Sequence, residues 1–211
     1  VRVYFDREET LYEDLLLYIP NRRSAPAPAF LGVNFFGNHT VDPDPGILLP
    51  DSLRYRPDFI LDPRGSQQQR WPVRTLVERG YALVTFCCED VAPDTDRVMG
   101  VRSVYKGYTW GSLAAWGWGL SRALDYLEAD TEIDAARVAV FGHSRMGKAA
   151  VWAAARTSSI SASSSAIRIL SRILSRISAA MGFRLRGSGP FPPPFRRDRP
   201  PHQHQLSVLV L

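Results

Sequence analysis

The chemistry in this chain is concentrated in seven residues, Gly142-His143-Ser144-Arg145-Met146-Gly147-Lys148. They follow an apolar run, Arg137–Phe141 (Arg-Val-Ala-Val-Phe), and precede a helical pattern from Lys148 to Arg156. A sharp strand-to-helix turn lifts a serine hydroxyl out of a sheet, where it can attack a carbonyl carbon. The first N–H groups of the helix then face the developing oxyanion. Such a nucleophile elbow needs small residues around the serine, because backbone segments approach closely. The usual pattern has Gly two residues after Ser; here that position is Met146, and Gly147 comes one later. Spacing alone therefore also admits a glycine-bracketed turn with an incidental serine. Arg145 and Lys148 read equally as solvated charge. Yet positive charge is mildly unfavourable at a helix start, so its presence there calls for another cause. His143 precedes the serine, and its side chain is expected to point away from the hydroxyl.

The elements needed to hold this turn are legible upstream. Residues 14–19 form a short apolar run stopped by Pro20, and Ala29–Phe36 a buried strand ended by Gly37-Asn38. Residues 41–70, with five Pro and two Gly, read as a long surface loop, uncommon unless functional. Residues 72–79 suit a helix closed by Gly80, followed by a buried strand, Tyr81–Phe86. Cys87 and Cys88 read as buried thiols on opposite faces of a strand end. From Ser112 to Ala129, Leu113, Trp116, Leu120, Ala123, Leu124 and Leu127 make one apolar stripe along a helix. Alternating apolar strands and helices predict an α/β fold with a mostly parallel sheet covered on both faces.

Composition divides the chain. Its 211 residues are 45% hydrophobic, enough for one α/β domain and too apolar for wholesale disorder. The net charge of +5 is uneven. Residues 157–211 hold eight Arg and one acid, giving +7, which leaves −2 on residues 1–156. All five Trp and all eight Tyr lie in 1–156. The remainder is rich in Ser and Pro and contains an Ile-Leu-Ser-Arg repeat from Ile169, so 157–211 reads as a low-complexity basic tail, disordered or non-native. Its charge, without basic-aromatic interleaving, does not make a nucleic-acid binder. No apolar run is long enough to span a membrane. No His/Cys/Asp cluster has metal-ligand spacing, and no cofactor is expected. Lys148 is followed by Ala149, where a phosphate loop needs Ser or Thr. The chain starts at Val1 with no signal peptide, and so reads as a fragment or processed form.

The elbow, Gly-His-Ser-Arg-Met-Gly-Lys at 142–148, resembles that of the glucuronoyl esterases, carbohydrate esterase family 15, within the α/β-hydrolase superfamily. Asn34–Thr40 (Asn-Phe-Phe-Gly-Asn-His-Thr), Trp116–Leu127 and Asp134–Phe141 resemble further segments of the same family, in the same order. The resemblance covers roughly residues 10–156. It implies a serine carboxylic ester hydrolase that cleaves 4-O-methyl-glucuronoyl esters between xylan and lignin alcohols. In family terms Ser144 is the nucleophile, Arg145 helps hold the oxyanion, and Lys148 contacts sugar hydroxyls. The loop at Asn34–Thr40 is a second oxyanion contributor by superfamily position, with His39 a structural hydrogen-bonder. The resemblance also implies a secreted or periplasmic protein.

The chain departs from this pattern after the elbow. In α/β-hydrolases the catalytic acid and His follow the nucleophile. Here only Asp198, His202 and His204 do, in a stretch rich in Pro and Gln. Residues 1–156 thus read as the N-terminal part of an α/β-hydrolase domain, an incomplete doubly wound sheet. Shifting freely chosen codons for Gly182–Leu211 by one nucleotide yields a string resembling the family's continuation, so the tail is expected to be out of frame. The chain as written is expected to be weakly active or inactive. An acetyl-xylan or other carbohydrate esterase, and a non-catalytic carbohydrate-binding remnant, are the competing readings.

Overall fold

The structure, a computed structural model, describes residues 1–51, 59–95, 97, 99–105, 107, 109–158 and 207–210. The Ile-Leu-Ser-Arg repeat and Asp198, His202 and His204 lie outside them. Two short strands, β1 (Arg2–Tyr4) and β2 (Tyr12–Asp14), form an antiparallel hairpin. A five-stranded sheet follows, built from β3 (Leu16–Tyr18), β4 (Ala27–Asn34), β5 (Ala82–Cys87), β6 (Ile133–Gly142) and β7 (Ser207–Val210) in the order β3-β5-β4-β6-β7. Only β3 runs antiparallel to its neighbour. The helices are α1 (Val73–Glu78), α2 (Cys88–Val91), α3 (Val101–Val104), α4 (Ser112–Ala129) and α5 (Arg145–Ser158).

Strand alternation explains why helices cover both faces. Ala82, Val84 and Phe86 of β5 face the main core with Ala29, Leu31 and Val33 of β4 and Val138 and Val140 of β6. That core is closed by α4, α5 and the hairpin. Leu83, Phe30 and Phe141 point the other way, against Val73, Leu76 and Val77 of α1 and Trp71. All six residues of β5 are buried, as befits a parallel strand enclosed on two sides. Helix α4 spans the stretch its apolar stripe predicts. Its Gly117 lets α5 approach: a Cβ there would lie 2.9 Å from Trp152 Cδ1 and 3.2 Å from the Ala149 carbonyl.

Several expectations need correction. The run at 14–19 is divided, with Tyr12–Asp14 in the hairpin and Leu16–Tyr18 in the main sheet, because Leu15 turns into the core between them. Cys87 ends β5 while Cys88 begins α2, so the two buried thiols do not occupy opposite faces of one strand. Strand β6 starts four residues before Arg137. Helix α5 starts at Arg145, not Lys148, directly after the serine. No strand was expected in 157–211, yet Ser207–Val210 pairs parallel to Ala139–Gly142. Those four residues, Ser-Val-Leu-Val, favour a strand, but so short a run in polar surroundings carries no readable period.

Candidate active site

Parallel pairing brings three strand ends to one rim of the sheet. Asn34 at the end of β4 lies opposite Cys87 at the end of β5, and Gly32 of β4 opposite Phe141 of β6. The segments that follow are Phe35–Thr40, Cys88–Thr95 and His143–Arg145. Sites in open α/β sheets form at such carboxyl ends.

The third segment is a strained elbow. Ser144 has φ +54°, one of two non-glycine residues with positive φ among the described residues. This left-handed conformation costs an L-residue roughly 1–2 kcal/mol. It is fixed by helix closure on both sides: the Met146 N–H donates to the His143 carbonyl at 3.1 Å, and the Lys148 N–H to the Ser144 carbonyl at 3.2 Å. The turn is so tight that a Cβ on Gly142 would stand 2.5 Å from the Met146 carbonyl carbon and oxygen. The demand for a small residue therefore falls on Gly142. Met146 satisfies the +2 position because its side chain turns away into the main core. Ser144 is exposed, and its hydroxyl makes no hydrogen bond among the described residues.

The first segment forms a braced wall beside the elbow. The Asn34 carboxamide accepts the Gly37 N–H at 2.9 Å and donates to Asn38 Oδ1 at 2.7 Å and Thr85 Oγ1 at 3.2 Å. Asn38 in turn donates to the Asp14 carbonyl at 2.6 Å, tying the loop to the hairpin. His39 is buried, with Nε2 2.9 Å from the Asp62 carbonyl. Burial holds its pKa below the ordinary histidine value. Through Nε2 the imidazole fastens Asp62 to the rim, while Nδ1 is buried with no hydrogen-bond partner among the described residues. His143 is exposed on the elbow.

Arg145 is the point where the three segments meet. Its guanidinium pairs with the Asp94 carboxylate and lies over the Phe35 ring, 5.6 Å from the centroid. The partner explains a cation at a helix start, where it is otherwise disfavoured. Asp94 escaped sequence reading because it lies 51 residues away with no periodic signal; only its place in the loop after buried β5 hinted at the rim. Lys148 is half-buried on the first turn of α5, one turn beyond Arg145 on the same face.

Beneath the rim is a buried carboxyl, Glu13. It is fully buried, and neither oxygen has a hydrogen-bond partner among the described residues. Desolvation pushes its pKa well above the carboxylate range, Asp90, Asp125 and Asp14 add to this, and Arg122 opposes it. Among the described residues no cluster of His, Cys, Asp or Glu is arranged to hold a metal ion.

A parallel sheet with helices on both faces, with a strained Ser between its third consecutive parallel strand end and a helix, defines the α/β-hydrolase class of ester hydrolases. The comparisons narrow the class. Residues 65–164 match the family model described as "Glucuronyl esterase, fungi". A carbohydrate esterase from an unknown prokaryotic organism is 38% identical over 174 residues, covering 74% of this chain and 40% of that protein. The 4-O-methyl-glucuronoyl methylesterase 1 of Phanerochaete chrysosporium is 30% identical over 118 residues, covering 49% of this chain and 25% of that one. Among solved structures, a glucuronoyl esterase from Solibacter usitatus superposes with TM-score 0.67 at 41% identity, over 74% of this chain and 43% of that chain. A promiscuous CE15 esterase from a marine bacterial metagenome gives TM-score 0.60 at 39% identity, over 72% and 42%. The chain carries part of a glucuronoyl esterase domain of carbohydrate esterase family 15. It spans about two fifths of the length of the relatives it matches first.

Proposed function

We propose that this site belongs to a serine esterase acting on 4-O-methyl-glucuronoyl esters, with Ser144 as nucleophile. The observation that carries the reading is Ser144 at φ +54°, exposed between β6 and α5, with Arg145 beside it. Ser144 Oγ attacks the ester carbonyl carbon, the alcohol leaves, and water releases the uronic acid. The Arg145 guanidinium and backbone N–H receive the oxyanion, and Phe35–Thr40 closes the opposite side. Lys148 reaches sugar hydroxyls from the same helix face. The substrate class comes from relatives named as 4-O-methyl-glucuronoyl methylesterases; an ester joining xylan to a lignin alcohol is its natural form. The relatives' substrate also supports a site of action outside the cell. No helix among the described residues is long and apolar enough to cross a membrane.

Attack by serine needs a base, and no described imidazole bonds to Ser144 Oγ: His39 is held by Asp62. Turnover therefore depends on a base outside the described residues. That same observation favours a second reading, a site that binds glucuronate esters without cleaving them. Incubating the full chain with benzyl 4-O-methyl-glucuronate and measuring benzyl alcohol separates the two. Release that disappears in Ser144→Ala supports the esterase. Saturable binding without release supports the second reading. Faster release of acetate from acetylated xylan than of benzyl alcohol would overturn the substrate assignment.

A further inference from the structure

We propose that Asp94 is a specificity-determining residue: by neutralising Arg145 it makes the site prefer the neutral ester over the anionic acid that hydrolysis produces. This rests on the function proposed above and concerns how that site treats substrate and product.

The Asp94 carboxylate is held in place by a scaffold built around its loop. Three backbone carbonyls on either side of Asp94 are gripped by side chains from α3 and α4. Trp116 Nε1 donates to the Ala92 carbonyl at 2.7 Å, Ser112 Oγ to the Pro93 carbonyl at 3.0 Å, and Arg102 Nη2 to the Thr95 carbonyl at 2.7 Å. Trp116 is wholly buried and Arg102 nearly so. The Asp94 side chain is 18% exposed while that of Arg145 is 50% exposed. Nη1 of the guanidinium is thus occupied by Asp94 while half of the side chain remains open to solvent, with Phe35 beside it.

This arrangement has an electrostatic consequence. An unpaired arginine binds a carboxylate through two parallel N–H···O bonds and would hold a uronate product tightly. An arginine already matched by a carboxylate presents little net charge to a second one. Its outer N–H groups still donate to a carbonyl oxygen, and the negative charge of a transition state is met at short range. The helix N-terminus at Arg145 adds partial positive charge, so without Asp94 the rim would strongly favour anions. Asp94 therefore positions Arg145 for the ester carbonyl and weakens retention of the acid.

The test is a pair of dissociation constants, for methyl glucuronate and for glucuronate, measured by calorimetry on the full chain carrying Ser144→Ala so that the ester is not consumed. Adding Asp94→Asn is expected to shift the acid-to-ester affinity ratio about tenfold toward the acid, an effect that shrinks at high salt. Asp94→Glu is expected to keep the parental ratio. Arg145→Gln, which leaves Asp94 unpaired, is expected to move the ratio the other way, and it decides the matter if Asp94→Asn does not fold. A merely structural role for Asp94 predicts that both ligands weaken together; an unchanged ratio in these variants overturns the inference. If the Ser144→Ala chain binds neither ligand, the proposed function itself fails, a result distinguishable from loss of selectivity alone.

Discussion

Ser144 supplies the most direct test of the elbow, because its strain can be weighed against the rest of the chain. Replace it by Gly and, as control, by Ala. Its φ of +54° lies at the centre of the left-handed region. Relieving a Cβ in that conformation is worth roughly 1–2 kcal/mol. Glycine also enlarges the freedom of the unfolded chain, which offsets about 0.5–1 kcal/mol. The hydroxyl contributes little, since it is exposed and makes no hydrogen bond among the described residues. The net expectation is that Ser144→Gly is more stable than Ser144→Ala by about 1 kcal/mol, with Ala close to the parent. At a urea slope of about 2 kcal/mol per molar, the glycine midpoint rises by about 0.5 M. Urea titration followed by tryptophan fluorescence reads this directly, as all five Trp lie before residue 157. A glycine midpoint at or below that of alanine would show that the residue is not strained. A nucleophile elbow at this turn would then lose its physical basis.

Two further outcomes follow from packing and burial. Gly142→Ala places a methyl 2.5 Å from the backbone of Met146, which cannot yield without unwinding α5; a loss of about 3 kcal/mol is expected from urea titration, and a loss under about 1 kcal/mol would contradict the close approach. Glu13 keeps its proton in the folded chain at pH values where the unfolded chain has lost it. Stability from this group is complete below the ordinary carboxylate pKa and falls as pH rises toward the raised folded value. Glu13→Gln is expected to remove that decline, making the variant more stable than the parent near pH 8, and parallel pH profiles for the two proteins would refute it.

Much of the fold was legible because its signals are local. The stripe from Leu113 to Leu127 has one period, and α4 forms over that span. Gly80 at φ +84° ends α1's turn, as a glycine after a helix does. The Ala82–Phe86 run, apolar but for Thr85, buries both its faces only inside a two-faced sheet. Boundaries were less legible. Whether Leu15 belongs to a strand or a break depends on which core it enters, and Ser207–Val210 becomes a strand only because β6 offers an open edge. At the site, the glycine spacing was equivocal until the turn showed that Gly142, and not position 146, carries the close approach.

By itself the amino-acid order determined where a strand must give way abruptly to a helix, and that Ser144 stands at that junction. Short-range sterics and hydrophobic period are properties of neighbouring residues, so they can be read along the chain. Only the tertiary structure decided that Arg145 meets Asp94 and Phe35, that His39 Nε2 meets the Asp62 carbonyl, and that Glu13 is sealed with no hydrogen-bond partner among the described residues. Those facts depend on parallel strand register, which brings residues far apart in sequence to one rim, and on desolvation, which exists only once the core has closed.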